Sequence, residues 1–248
     1  MIRKFCLLSA TALNIFTFST TSQAQSNDDW QFQVTPYLWA TAIDGKAGSS
    51  AKQSDIDISA GDVIENLDMA FLVNLKAQKD YWGMTLDTVY MNLRPDAKGE
   101  PIELEVTAKQ TLISGSVFYR PQAAKGLELH LGARYVDLDN SFRVTTSSPL
   151  PASSNKRELG DDWVEAFVGA RYTYAVSPKM NLIAYGDVAG FSGESDTMYQ
   201  MMLSASYQYS KSWIFSGGYR TFVVDYDRDN FAYDATTDGL LIGAGYLF

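Results

Sequence analysis

The chain has 248 residues, 20 Lys+Arg against 29 Asp+Glu, a formal net charge of −9 and 13% aromatic residues. This acidic balance argues against nucleic acid as a partner, because neutralising phosphates takes a surplus of Lys and Arg. No apolar run of about 18 residues occurs beyond the N-terminus, which excludes a helical membrane span.

At the N-terminus, Arg3 and Lys4 precede a mostly apolar stretch from Phe5 to Phe18. Ser22 and Ala24 then supply the small residues of a cleavage site. This three-part plan predicts a signal peptide over residues 1–24. Cys6 lacks the small residues that precede an acylated cysteine. Cleavage leaves 18 Lys+Arg against 29 Asp+Glu, 18 − 29 = −11, and no cysteine. The mature chain, residues 25–248, must therefore be held by packing or by a closed hydrogen-bond ladder, not by disulfides.

From Trp30 onward a period of two dominates, the signature of strands. Trp30, Phe32, Val34, Pro36, Leu38, Ala40 and Ala42 share one oily face; Gln31, Gln33, Thr35, Tyr37, Trp39 and Thr41 share the other. Ten such segments are expected, at 30–42, 69–79, 81–93, 102–119, 126–144, 162–176, 180–192, 197–209, 212–227 and 237–248. Each has about 11 residues or more, against roughly 5–6 for an average strand, and a tilted strand of that length spans a bilayer core. Aromatic residues gather near segment ends, among them Trp30, Trp82, Tyr172, Tyr207, Trp213 and Phe248, as girdles at two water–lipid interfaces require.

The connections alternate in length. Lys79-Asp80, Pro121 to Lys125, Ser177 to Lys179 and Ser210-Lys211 are tight, whereas 43–68, 145–161 and 228–236 are long and polar. Outer-membrane barrels have short periplasmic turns and longer external loops. Within 43–68, Ser59 is placed to cap a short helix with Val63, Ile64 and Leu67 on one face, a lid for the barrel mouth. Further on, Asp225, Asp227 and Asp229 form a D-x-D-x-D run. Asn230 stands where a calcium loop needs Gly and Thr236 where it needs a bidentate Glu, so the run reads as an acidic rim with weak metal-binding character. The final segment alternates through Leu240, Ile242, Ala244 and Tyr246 to a terminal Phe248, an ending that resembles the sorting signal read by the barrel-insertion machinery.

With the polar faces turned inward, the lumen receives Lys76, Lys109, Arg134, Arg171 and Arg220 against Asp87, Glu105, Glu128, Glu165 and Asp187. Five against five predicts pairing that stiffens a narrow interior; a small charged pore is the other reading. Gly132, Gly169 and Gly218 each precede an Arg by two residues, leaving room for the guanidinium. Val89, Met91, Leu241 and Leu247 do not fit, since they point inward although apolar, and 102–119 loses clear alternation after Leu112.

Catalysis finds little support. Lipid A deacylases and outer-membrane phospholipases use His with Ser, and omptin proteases use Asp with His, toward the outer leaflet. The lone His130 lies near the opposite end beside Glu128. One His and no mature Cys leave few nucleophile–base pairs and no imidazole-pair metal site. No cofactor is expected.

Pro36-Tyr37-Leu38-Trp39, Gly61 to Asp68, Leu86-Asp87-Thr88-Val89-Tyr90, Gly186 to Phe191 with Ser195-Asp196, and Gly218-Tyr219-Arg220 resemble a proteobacterial outer-membrane β-barrel family of uncharacterised role. Relatives tend to have Gly-Gly-Phe where this chain has Ala189-Gly190-Phe191. The resemblance implies location and architecture and carries no catalytic residues.

The sequence thus predicts an all-β, antiparallel, up-and-down transmembrane barrel of ten strands, with eight or twelve as alternatives depending on how 102–144 is divided. Its expected partners are outer-membrane lipids, lipopolysaccharide and the insertion machinery. Its expected role is structural or that of a narrow channel. A surface ligand-binding or adhesin-like barrel using acidic external loops is the second reading, and a lipid-modifying enzyme the third.

Overall fold

The computed structural model describes residues 29–94, 96–99, 102–146, 153–191, 193, 195–228 and 230–248. The signal peptide expected over 1–24 and Asp229 of the acidic run lie outside them. In chain order the elements are β1 (Gln31–Ser49), β2 (Lys52–Ile58), α1 (Ala60–Glu65), β3 (Leu67–Lys79), β4 (Trp82–Leu93) and β5 (Asp96–Gly99). They continue with β6 (Ile102–Tyr119), β7 (Leu127–Thr146), β8 (Ser153–Ser177), β9 (Met180–Ala189), β10 (Thr197–Gln208), β11 (Trp213–Arg228) and β12 (Phe231–Leu247).

Ten of these strands close an antiparallel barrel, running from β1 through β3, β4, β6 and on to β12, which pairs back onto β1. Closure leaves no sheet edge, the condition for strands in a medium without water. The two chain ends of the wall are tied where Phe248 N–H donates to Phe32 O at 3.0 Å and Phe32 N–H donates to Phe248 O at 3.1 Å. The β3–β4, β6–β7, β8–β9 and β10–β11 turns lie at this end; the β11–β12 turn, from Arg228 to Phe231, is as short and lies at the other, so the long connection expected over 228–236 is mostly strand. In the β3–β4 turn, Asp80 adopts φ 50, a left-handed conformation that Asp tolerates better than bulkier residues.

At the long-loop end β1, β7, β8 and β12 outrun the expected segments, whereas β9 stops at Ala189, short of the expected 192. β7 and β8 have 20 and 25 residues, against 10 and 12 for β9 and β10. The connection expected over 43–68 is instead a hairpin of β1 with β2 followed by α1. Ser59 caps α1 in a capping box with Asp62, but only Val63 is buried; Ile64 is 62% exposed, and Leu67 has joined β3. A six-residue helix has too few turns to bury all three on one face.

In the longer strands polarity inverts near the middle. On the outside, β11 runs from Trp213, Phe215 and Tyr219 to Asp225 and Asp227; inside, it runs from Ser216 and Arg220 to Phe222, Val224 and Tyr226. In β7, Glu128, His130 and Arg134 point inward ahead of Val136 and Leu138. In β4, Thr85 and Asp87 precede Val89 and Met91. Toward the short turns, then, an apolar belt surrounds a polar interior. Toward the long loops, a polar outside surrounds an apolar interior. The inward Val89, Met91 and Leu241 belong to that apolar half, whereas Leu247 lines the polar cavity near the short turns.

The apolar half forms a septum. Trp39, Leu72, Val89, Leu112, Val136, Met198 and Phe222 pack across the barrel, and above them Trp163 stacks on Tyr226 at 4.0 Å between ring centroids. Because β9 and β10 are short, β8 and β11 approach each other over them, and Tyr226 Oη donates to Asp161 Oδ2 at 2.6 Å. Val63 of α1 packs over the mouth with Ile43, Ile56 and Leu93.

The wall has a seam along β1. β1 pairs with β3 only from Gln31 to Pro36, and pairs with β2 only from Ile43. Between them, Tyr37–Ala42 bond to β12 alone. Pro36 ends the β1–β3 ladder, since it has no N–H to donate.

Candidate functional site

Beneath the septum lies a cavity of about 950 Å³, open at the short-turn end. Its lining charges form two tiers.

The deeper tier holds two matched ion pairs. Arg134 on β7 grips Asp187 on β9 with Nη1 and Nη2 at 3.0 and 2.8 Å, and donates through Nε to Ser114 Oγ at 2.9 Å. Its guanidinium lies between the Phe167 and Phe222 rings, 5.0 and 5.1 Å from their centroids. Asp187 also accepts from Tyr185 Oη at 2.7 Å and Gln200 Nε2 at 3.2 Å. With both side chains at most 1% exposed, these bonds compensate much of a desolvation cost that a bare pair would not recover. Arg220 on β11 donates to Tyr37 Oη at 3.0 Å and Asp87 Oδ2 at 3.2 Å, over the Trp39 ring at 4.7 Å. Asp87 accepts further bonds from Tyr37 and Asn74.

The tier nearer the opening is unmatched. Glu128 on β7 accepts from Lys76 Nζ at 2.8 and 2.9 Å, and from Arg120 Nε and Nη2 at 3.0 and 2.8 Å. Arg171 Nε stands 4.0 Å from the same carboxylate and has no hydrogen-bond partner. His130 shares a bond with Ser116 Oγ at 3.0 Å through Nδ1, while its Nε2 has no hydrogen-bond partner. Its ring lies 5.2 Å from Phe118 and 5.6 Å from Tyr185, a lumen position at the short-turn end.

Of the residues picked out in the sequence, Lys76, Asp87, Glu128, His130, Arg134, Arg171, Asp187 and Arg220 come together here. Glu165 is buried in the apolar half, where it accepts from Ser195 N–H and Oγ. Lys109 is not in the lumen. It faces outward and pairs with Asp139 at 3.2 Å, because β6 has passed the level where polarity inverts and its polar face there meets water. The side chain of Glu105 lies outside those described. Asp225 and Asp227 sit on the outward rim, near Asp196 and Asp234; burial, and then these neighbouring carboxylates, raise the Asp225 carboxyl above its ordinary value. Among the described residues, no group of three His, Cys, Asp or Glu is placed to hold a metal.

Arg120 and Tyr37 were not singled out. Arg120 was legible by extending the alternation of 102–119 one residue, which puts it on the face of Ser114 and Ser116. The room left by Gly132 serves a ring rather than a guanidinium. A Cβ there would stand 2.6 Å from Phe167 Cζ and 2.2 Å from Gly115 O. The segments that carry the family resemblance supply Tyr37, Trp39, Asp87, Asp187 and Arg220 to the deeper tier.

No protein-family model matches the chain, and no curated protein sequence does. Solved structures are similar to it to different degrees. The outer membrane protease OmpT of Escherichia coli is similar with a TM-score of 0.53 at 10% identity, over 92% of this chain and 100% of that one. Ail, the attachment invasion locus protein of Yersinia pestis, gives 0.37 at 10% identity over 89% and 99% of the two chains. A Pseudomonas aeruginosa FadL homologue gives 0.36 at 10% over 89% and 90%. The OmpT likeness establishes the barrel architecture of bacterial outer-membrane proteins and nothing about activity.

Proposed function

We propose that this chain is an integral barrel of a Gram-negative outer membrane with a sealed lumen, a structural and ligand-holding protein rather than a diffusion channel or an enzyme. The septum carries this reading. Ions crossing it would leave water for a packed apolar layer at a cost of several kcal/mol each. By the short-turn rule the cavity opens to the periplasm and the acidic hairpins face outward. Export by the expected signal peptide, and insertion guided by the C-terminal Tyr246 and Phe248, complete the proposal.

Purified protein in planar bilayers should give no stepwise conductance. Steady single-channel steps from the unmodified chain would refute the sealed reading. A variant with Trp39→Ala and Phe222→Ala, which thins the septum, should conduct if it retains the barrel. Location is checked separately: the unheated membrane fraction should run differently from a boiled one on a gel, as closed barrels do.

A second reading, a surface that binds lipopolysaccharide through bridging divalent ions, draws on the outward Asp196, Asp225, Asp227 and Asp234, where carboxylates crowd one another. Binding of lipopolysaccharide that is insensitive to chelator would argue against it.

A further inference from the structure

We propose that the cavity binds a small oxyanion of charge about −2, of the phosphate monoester class, through Lys76, Arg120 and Arg171. The reason is an imbalance confined to one tier. Farther in, each guanidinium has its own carboxylate. Near the opening, three cations share Glu128, 3 − 1 = +2, in a chain whose overall charge is strongly negative. Across the whole lining, six Lys and Arg side chains meet Asp80 at the rim, Asp87, Glu128 and, behind Arg134, Asp187, 6 − 4 = +2.

Like charges held this close in a poorly screened interior repel, and the repulsion is relieved by a counter-charge at the same place. The groups are also reachable. The side chains of Lys76, Arg120 and Arg171 are 12%, 31% and 26% exposed, whereas Glu128 is 7% exposed and covered by them. Arg171 Nε and His130 Nε2, both buried, make no hydrogen bond within the protein, and His130 Nε2 stands 3.6 Å from Glu128 Oε2. Two guanidinium forks and an ammonium around one open space suit the tetrahedral oxygens of a phosphate. A cavity of about 950 Å³ also leaves room for the group the phosphate esterifies. A soluble monoester and a lipid phosphate monoester such as phosphatidic acid, reaching over the rim, share this chemistry. Occupancy does not depend on the lumen being sealed.

The test uses the full chain in an uncharged maltoside detergent, titrated calorimetrically with inorganic phosphate against chloride at matched ionic strength. Saturable binding of phosphate alone is expected. Arg171→Gln should weaken it roughly ten- to a hundredfold, the range for a lost charge-assisted contact, with the heat-modifiable gel shift retained. Glu128→Gln should tighten binding, and phosphate should restore part of the thermal stability this variant loses; a purely structural Glu128 predicts no such rescue. Should Arg171→Gln fail to form a barrel, Arg171→Lys, which keeps the charge and loses the fork, should still weaken binding. Phosphate binding no better than chloride, or unchanged in both Arg171 variants, would overturn the proposal. Competition by glycerol 3-phosphate assigns a soluble source, and competition only by phosphatidic acid in mixed micelles assigns a lipid headgroup.

Discussion

Arg134 shows what a single side chain does inside this barrel. Its charge is buried, bidentate on Asp187 and flanked by two rings. Removing one partner strands the other without water. Asp187→Ala should therefore cost about 3–5 kcal/mol, whereas Arg134→Met with Asp187→Leu should lie near neutral. Urea midpoints of the refolded barrels distinguish the two outcomes. At the rim the sign is opposite. Asp225 keeps its proton in the folded protein over a range where the unfolded chain has lost it. Its contribution is thus most favourable below the ordinary carboxylate range and is lost as pH rises through the raised value. Thermal stability should fall over that window from about pH 4 upward, and Asp225→Asn or added magnesium should flatten the fall. The partners of these residues were only half legible. Inward parity identified Arg134, Asp187 and Arg220, but which carboxylate meets which guanidinium depends on register across three or more strands.

Strand by strand, the lesson is the inversion of polarity. Parity reading assumes one medium on each side of a strand, and here both media change partway along. Segment boundaries near the short turns matched the structure closely, because lipid outside and a wet cavity inside give sharp alternation. Lys109 was assigned to the wrong side for the opposite reason: beyond Leu112, β6 carries polar residues toward water and apolar ones toward the septum. The apolar inward Val89, Met91 and Leu241 were the visible sign of this change. Phe222→Ala, which leaves a cavity in a packed layer, should destabilise the barrel by about 3–5 kcal/mol. A measured loss below about 1 kcal/mol would mean that the layer is loosely packed.

At the scale of the molecule, the fold was read from three independent signals: strand length, alternating connection length and a closing aromatic strand. The ten-strand count follows from the ladder itself, with β2 and β5 as side extensions that sequence periodicity had left as loop. The cavity and septum were not foreseen as separate compartments. Each strand contributes only a few residues to either, so they emerge only when ten strands are wrapped into register. The resulting body has two halves, one built for a bilayer and one resembling a small water-soluble barrel set on top of it.

The break in stitching beside Pro36 gives that body a preferred tear line. Tyr37–Ala42 answer to one neighbour, while Gln33, Val34 and Ile43–Gly48 answer to two. Deuterium should enter the amides of Tyr37–Ala42 sooner than those of Gln31–Thr35, and a cross-link joining Leu38→Cys to Phe71→Cys should raise the temperature at which the cylinder comes undone.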